Sequence, residues 1–213
     1  MPSTFNPSFC PPVSHVREWR IDPKPQSLGV RTKGGHPARV ARFRDPRFAA
    51  KPLAPFPAYT DQPTSQGPLD PTFPTRPRFG HKRNWFFSFI PLEPGTSLYG
   101  TGERAGRLNR RGTTAVCWNT DCFDYHEKHP SLYQSHPWVL AVRPDGTAFG
   151  VICESTSRVK IDLRRGISFG AQAFEPGVAP AITIIEGPDP ASVMSALASL
   201  TGTMPLPPRW ALQ

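Results

Sequence analysis

The sequence predicts a mainly-β chain: an antiparallel β-sandwich or barrel with one short C-terminal helix, preceded by a Pro/Arg-rich irregular segment. Three observations carry this expectation. Past Arg83 the chain runs in short apolar stretches divided by Pro, Gly and Asp turn signals, the pattern of many short strands. Only one stretch, Asp189 to Gly202, has the caps and spacing of a helix. Prolines and positive charge crowd the front.

Up to Arg83 there are 14 Lys and Arg against 5 Asp and Glu, and from Asn84 onward 11 against 11, so the excess of +9 lies wholly in the first segment. That segment also holds 16 of the 28 prolines, which interrupt any stretch able to extend a helix or a central strand. Ordering each residue costs about 1 to 2 kcal/mol of backbone entropy, and periodic apolar contacts to offset it are few here. The expectation is therefore an irregular or partly disordered segment over 1–83, with edge strands near Val13 to Ile21 and Ala38 to Phe43. A β-sandwich domain over 84–204 and a Pro-rich linker over 205–213 follow.

Within the sandwich, Trp85 to Ile90 is a dense aromatic strand stopped by Pro91 and by the Pro94-Gly95 turn. Thr113 to Trp118 is rich in β formers. Trp138 to Val142 and Ala148 to Cys153 form a hairpin through Pro144-Asp145-Gly146, where Pro suits the first turn position and Gly a positive φ. Val159 to Leu163 alternates apolar and polar, so it reads as a half-buried strand. Ile167 to Phe169 and Ala181 to Ile185 add two more. In the helix Asp189 is the cap, Pro190 the first helical residue, Val193, Leu197 and Leu200 the buried stripe, and Gly202 the stop.

Several function classes find little support. The positive charge is scattered without aromatic interleaving or a helical stripe, which argues against nucleic acid as a partner. No apolar run approaches bilayer length and Met1 to Arg20 lacks a signal-like stretch, so the expectation is no membrane and a cytoplasmic location. Cys10, Cys117, Cys122 and Cys153 read as free thiols, because no second Cys pair or His stands at zinc-ligand spacing. Gly100-Thr101-Gly102-Glu103-Arg104-Ala105 fits the loose dinucleotide fingerprint, yet the polar Gly106 to Gly112 that follows is no amphipathic helix. His126 and His129 are three apart, not four, and Pro130 follows, so the metalloprotease motif fails as well. No metal and no cofactor are expected. Nor does any Ser/His/Asp or Cys/His arrangement mark a nucleophile.

The unusual stretch is Trp118-Asn119-Thr120-Asp121, then Tyr125, then Leu132-Tyr133-Gln134-Ser135-His136-Pro137-Trp138. It combines flat aromatic faces with short hydrogen-bonding side chains on a long connection, a mixture suited to stacking on a sugar and reading its hydroxyls. Trp118, Thr120, Asp121 and Tyr133 are the candidate substrate-binding residues; Trp138 reads as core. Asp121, Asp124 and Glu127 are too close in sequence to serve as the spaced carboxylate pair of glycosidic cleavage.

These pieces carry a resemblance. Leu98-Tyr99-Gly100-Thr101-Gly102-Glu103, Leu108-Asn109-Arg110-Arg111-Gly112, Trp118-Asn119-Thr120-Asp121, Leu132 to Pro137, Asp145-Gly146 with Gly150, and Pro207-Pro208-Arg209-Trp210-Ala211-Leu212 occur in an order that resembles glycoside hydrolase family 31, the α-glucosidase type. The resemblance covers Trp85 to the carboxyl end. It implies a galactose-mutarotase-like β-sandwich leading into a catalytic (β/α)8 barrel in cis, with Asp121 hydrogen-bonding the hydroxyls of an α-glucoside or oligosaccharide. The catalytic nucleophile and acid/base of that family lie on the barrel, so no catalytic residue is assigned here and no turnover is expected from this chain alone. The alternative is a stand-alone carbohydrate-binding or scaffold module.

Overall fold

Alternating apolar residues need a second layer to bury them, and the chain supplies it with two antiparallel sheets. The computed structural model describes residues 20–21, 26–31, 37–45, 73–82, 84–172, 179–203 and 207–212. In chain order the strands are β1 (Arg20–Ile21), β2 (Gln26–Arg31), β3 (Pro37–Phe43), β4 (Arg78–Lys82), β5 (Trp85–Ile90), β6 (Ser97–Gly100), β7 (Thr114–Cys117), β8 (Trp138–Val142), β9 (Ala148–Glu154), β10 (Val159–Asp162), β11 (Ile167–Gln172) and β12 (Ala181–Gly187), followed by helix α1 (Pro190–Thr201). One sheet has the order β1-β4-β5-β11-β10-β7 and the other β2-β3-β12-β9-β8-β6.

The main core lies between the sheets, where Phe43, Ile90, Leu98, Val139, Ile161, Phe169 and Ile184 are buried together. A second cluster lies between the outer face of the β12 sheet and α1, with Val40, Ala148, Ile185, Val193, Ala196 and Leu200. This explains the unbroken Ala-Ile-Thr-Ile-Ile run of β12: a strand covered on both faces has no solvent side to alternate toward. β10, with one covered face, alternates buried and half-buried. Trp138 packs against the second cluster and lies over Gly150, where an added Cβ would meet the indole at 1.7 Å.

The hairpin and the helix form as their residues dictate. β8 pairs with β9 from Trp138↔Ile152 to Val142↔Ala148, and the turn closes with Gly146 at φ 87° while Asp145 Oδ1 accepts from Thr147 N at 2.9 Å. Asp189 caps α1 by accepting from Ser192 N at 2.8 Å, and Gly202, at φ 88°, donates to Ala198 O at 2.9 Å.

The front segment requires a correction. Val13 to Trp19 lies outside the described residues, but Pro37–Phe43 is no edge strand: it pairs with β2 on one side and with β12 on the other. Arg42 reads as a surface residue in sequence, yet it is buried because Glu154 accepts from its Nε at 2.9 Å and pairs with its Nη2, while Thr183 donates to the same carboxylate. Arg78–Lys82 also belongs to the sandwich, with Phe79 buried against the core. The sheets therefore begin well before Asn84.

Candidate functional site

Two connections meet at the end of the sandwich where β6 and β7 run out and β8 begins: residues 118–137, and the first part of residues 101–113, which then pass along the outer edge of β6. The longer is tied down at its root. Val116 N donates to Pro130 O at 2.8 Å, Thr120 N to Leu132 O at 2.8 Å and Cys153 N to Pro137 O at 2.9 Å, while Leu132 is buried. Ser131 Oγ donates to Trp118 O.

The shorter connection leans on the longer. Thr101 N donates to Trp138 O and Glu103 N to Gln134 O, both at 2.9 Å. Gly102, at φ 86°, lies so close that a Cβ would come within 2.5 Å of Gln134 O. The glycines that suggested a phosphate loop thus serve a close approach of two backbones, and bends, not a helix, follow Ala105. Arg104 Nη1 donates to Pro130 O at 3.0 Å, and burial together with the neighbouring Arg110 holds its guanidinium below the ordinary arginine range. Asn109 Oδ1 accepts from Leu98 N at 3.2 Å and so covers the outer edge of β6.

On this support the four candidate residues gather in one loop. Trp118 is 54% exposed, with the Arg158 guanidinium 5.9 Å from its ring centroid. Asp121 is exposed. Tyr133 is 42% exposed; its hydroxyl donates to Cys122 O at 2.8 Å and accepts from Cys122 N at 3.3 Å. Desolvation and the adjoining Asp121 carboxylate raise its phenol above the usual range, against the opposing backbone bond from Cys122. Thr120 Oγ1 donates to Trp118 O at 2.9 Å. The hydroxyls of Thr120 and Tyr133 therefore brace the loop, while Trp118 and Asp121 present an open aromatic face and a carboxylate.

His126 and His129 hold a turn. His129 Nδ1 accepts from His126 N at 3.0 Å, which places the proton of the neutral ring on Nε2, 3.3 Å from Cys122 Sγ. Among the described residues no three His, Cys, Asp or Glu side chains are placed to hold a metal ion. Cys117 and Cys153 are buried free thiols; burial pushes Cys117 up to about 12, opposed by Arg104, and Cys153 higher still. Sequence reasoning missed Arg158 and Arg104. Neither stands near loop 118–137 in the chain in any pattern that would reveal the contact.

A two-sheet antiparallel sandwich with one end formed by braced, aromatic-bearing loops is the class of domain these features define. Residues 17–162, more than half of the chain, match the Glycosyl hydrolase 31 N-terminal galactose mutarotase-like domain, and the chain belongs to that family. It is 37% identical over 125 residues to Alpha-glucosidase 2 of Bacillus thermoamyloliquefaciens, a match covering 58% of this chain and 16% of that protein. It is 32% identical over 120 residues to the Alpha-glucosidase of Saccharolobus solfataricus, covering 54% and 16%. Among solved structures, the Family 31 alpha-glucosidase from Bacteroides thetaiotaomicron superposes with a TM-score of 0.52 at 41% identity, over 57% of this chain and 20% of that one. The Flavobacterium johnsoniae GH31 dextranase complexed with isomaltotriose reaches a TM-score of 0.61 over 92% of this chain and 29% of its own, a likeness of fold alone at 17% identity. The matches to the two curated relatives thus span about a sixth of their length.

Proposed function

We propose that this chain serves as the amino-terminal domain of a longer α-glucosidase-like glycoside hydrolase, with residues 205–213 leading into a catalytic barrel. In that reading loop 118–137 forms part of the substrate wall: Asp121 accepts hydrogen bonds from sugar hydroxyls and Trp118 offers a stacking face. One observation carries it: the loop is pinned at its root and at Tyr133, yet Trp118 and Asp121 remain open to solvent. A carboxylate carried on a braced loop needs little backbone reordering to meet a hydroxyl, and hydrogen bonds to charged groups are the stronger ones, about 1.5 to 3 kcal/mol. The domain contributes recognition; the cleavage chemistry belongs to the barrel.

Amide chemical shifts of the 213-residue chain, titrated with maltose and with isomaltose, test the loop's role. The expected response is confined to Trp118 to Tyr133 and Arg158, and Asp121→Ala removes it without changing thermal unfolding. No response in these residues up to the solubility of the sugar sinks the binding role. An immunoblot of source cells, probed with an antibody to 84–213, tests the longer polypeptide. A band several times the size of this chain is expected, and a band at its own size would instead support a stand-alone module.

A further inference from the structure

Loop 118–137 folds alongside itself, and its contacts step along two segments together. Val116 N donates to Pro130 O, Ser131 Oγ to Trp118 O, Thr120 N to Leu132 O and the Tyr133 hydroxyl to Cys122 O. Segment 130–133 is the anchored one of the two: Pro130 O also accepts from Arg104 Nη1, and the Leu132 side chain is buried. Residues 118–122, which carry Trp118 and Asp121, are exposed or half-buried and take their course from it.

Asp121 lies between two attachments to that segment. Before it, Thr120 N donates to Leu132 O at 2.8 Å. After it, the Tyr133 hydroxyl donates to Cys122 O at 2.8 Å and accepts from Cys122 N at 3.3 Å, so one oxygen holds the peptide on each side of Cys122. The two jaws of this clamp are consecutive residues. Between the held amides of Thr120 and Cys122 the only soft backbone torsions are the φ and ψ of Thr120 and Asp121. Cys122 Sγ adds a further tie, 3.3 Å from His129 Nε2. An aspartate side chain is short, so where the Asp121 carboxylate can reach follows closely from where its backbone is held. The Tyr133 hydroxyl is itself committed: it has one proton, and that proton goes to Cys122 O.

We infer that Tyr133 is a positioning residue of the sugar site, one that acts on Asp121 through the Cys122 peptides and not by touching the sugar. This rests on the binding role proposed above for Asp121. With the hydroxyl gone, Leu132 O still holds Thr120, but the chain beyond is free to swing. A sugar must then order about one residue of backbone as it binds, which lowers affinity about tenfold. The fold itself has little at stake: phenylalanine keeps the ring, and Cys122 N and O, on a half-exposed residue, turn to water.

Tyr133→Phe in the 213-residue chain tests this, read by backbone amide order parameters of the sugar-free protein and by amide-shift titration with maltose and isomaltose. The order parameters of Asp121, Cys122 and Phe123 are expected to fall from about 0.85 toward about 0.6, while those of Val116 and Cys153 hold. The sugar that the parent binds should bind about tenfold more weakly, with thermal unfolding close to the parent's. A hydroxyl that touched the sugar directly would weaken binding and leave the sugar-free backbone as rigid as before. That result, or an unchanged affinity in the Tyr133→Phe protein, overturns the inference. A parent chain that responds to neither sugar instead sinks the role of Asp121, whatever the order parameters show.

Discussion

Glu186→Gln removes one charge from the buried Arg143–Glu186 pair, which joins the β8–β9 hairpin to β12, while keeping the side chain's shape. The wild-type pair is well buried, with Arg143 and Glu186 side chains 13% and 6% exposed. Removing one member of a buried ion pair costs about 3 to 5 kcal/mol, because the survivor keeps its desolvation penalty without its counter-charge. Here the lower figure applies, since Thr75, Thr147 and the more distant Glu93 still face the stranded guanidinium. A loss of about 3 kcal/mol lowers the midpoint of a domain this size by about 6 to 12 °C. Arg143→Met should cost as much, for it strands the Glu186 carboxylate beside a single hydroxyl.

The double variant Arg143→Met/Glu186→Leu separates charge from packing. A buried pair replaced by apolar side chains of similar volume loses little, so the double variant should be more stable than either single one, with a coupling of about 2 kcal/mol. Urea unfolding followed by tryptophan fluorescence measures this, provided the slope stays constant across the variants. A Glu186→Gln protein within about 0.5 kcal/mol of the parent, or singles that merely add to give the double, would refute the reasoning.

Three further outcomes are expected. Gly150→Ala drives a methyl into the Trp138 indole and should cost about 1 to 3 kcal/mol by urea unfolding, with Trp138→Leu in the same chain recovering part of the loss. Burial opposes ionisation of Asp162, but hydrogen bonds from Arg164 outweigh it and leave the carboxyl below its usual range. The stability this pair lends, no more than about 1 kcal/mol, is present above the unfolded-state value near 3.8 and vanishes as pH falls through the lower folded value. Arg164→Ala should therefore trail the parent at pH 7 and converge with it in acid melts. Iodoacetamide at pH 8 should alkylate Cys122 well before Cys117 and Cys153, read by peptide mass; equal rates in the folded chain would contradict the burial that keeps the latter two protonated.

What was legible in the sequence was local. β5, the β8–β9 hairpin, the alternation of β10 and the capped helix each rest on residues within a few positions of one another, and each is found where its pattern places it. β3 reads wrongly as an edge strand because the prolines around it argue against a central one, while its partner β12, and Glu154 that pairs with Arg42 from 112 residues away, lie far off in the chain. β6 is hidden for another reason. Its four residues overlap the glycine motif, and only Leu98 is deeply buried. In the candidate loop the gathering of Trp118, Thr120, Asp121 and Tyr133 was readable from composition. That Thr120 and Tyr133 spend their hydroxyls inside the loop was not, since it depends on how the backbone folds back upon itself.

Thr101 bears on why that loop end stays open. It is a buried β-branched residue at φ 74°, in the left-handed region, and its hydroxyl meets no hydrogen-bond partner among the described residues. Such a conformation costs about 1 to 3 kcal/mol, and an orphaned buried hydroxyl adds to it. The strain persists because the Thr101 and Glu103 amides bind Trp138 O and Gln134 O, which locks connection 101–113 against the root of loop 118–137. On loop 118–137 itself Phe123 is 87% exposed, an apolar side chain that a looser backbone would be free to tuck away. Strain at Thr101 and exposure at Phe123 are thus two consequences of one arrangement, in which backbone bonds hold the loops outward. That arrangement favours the proposed longer enzyme, whose remaining domain would cover this surface, over a module that must stay soluble with it bare.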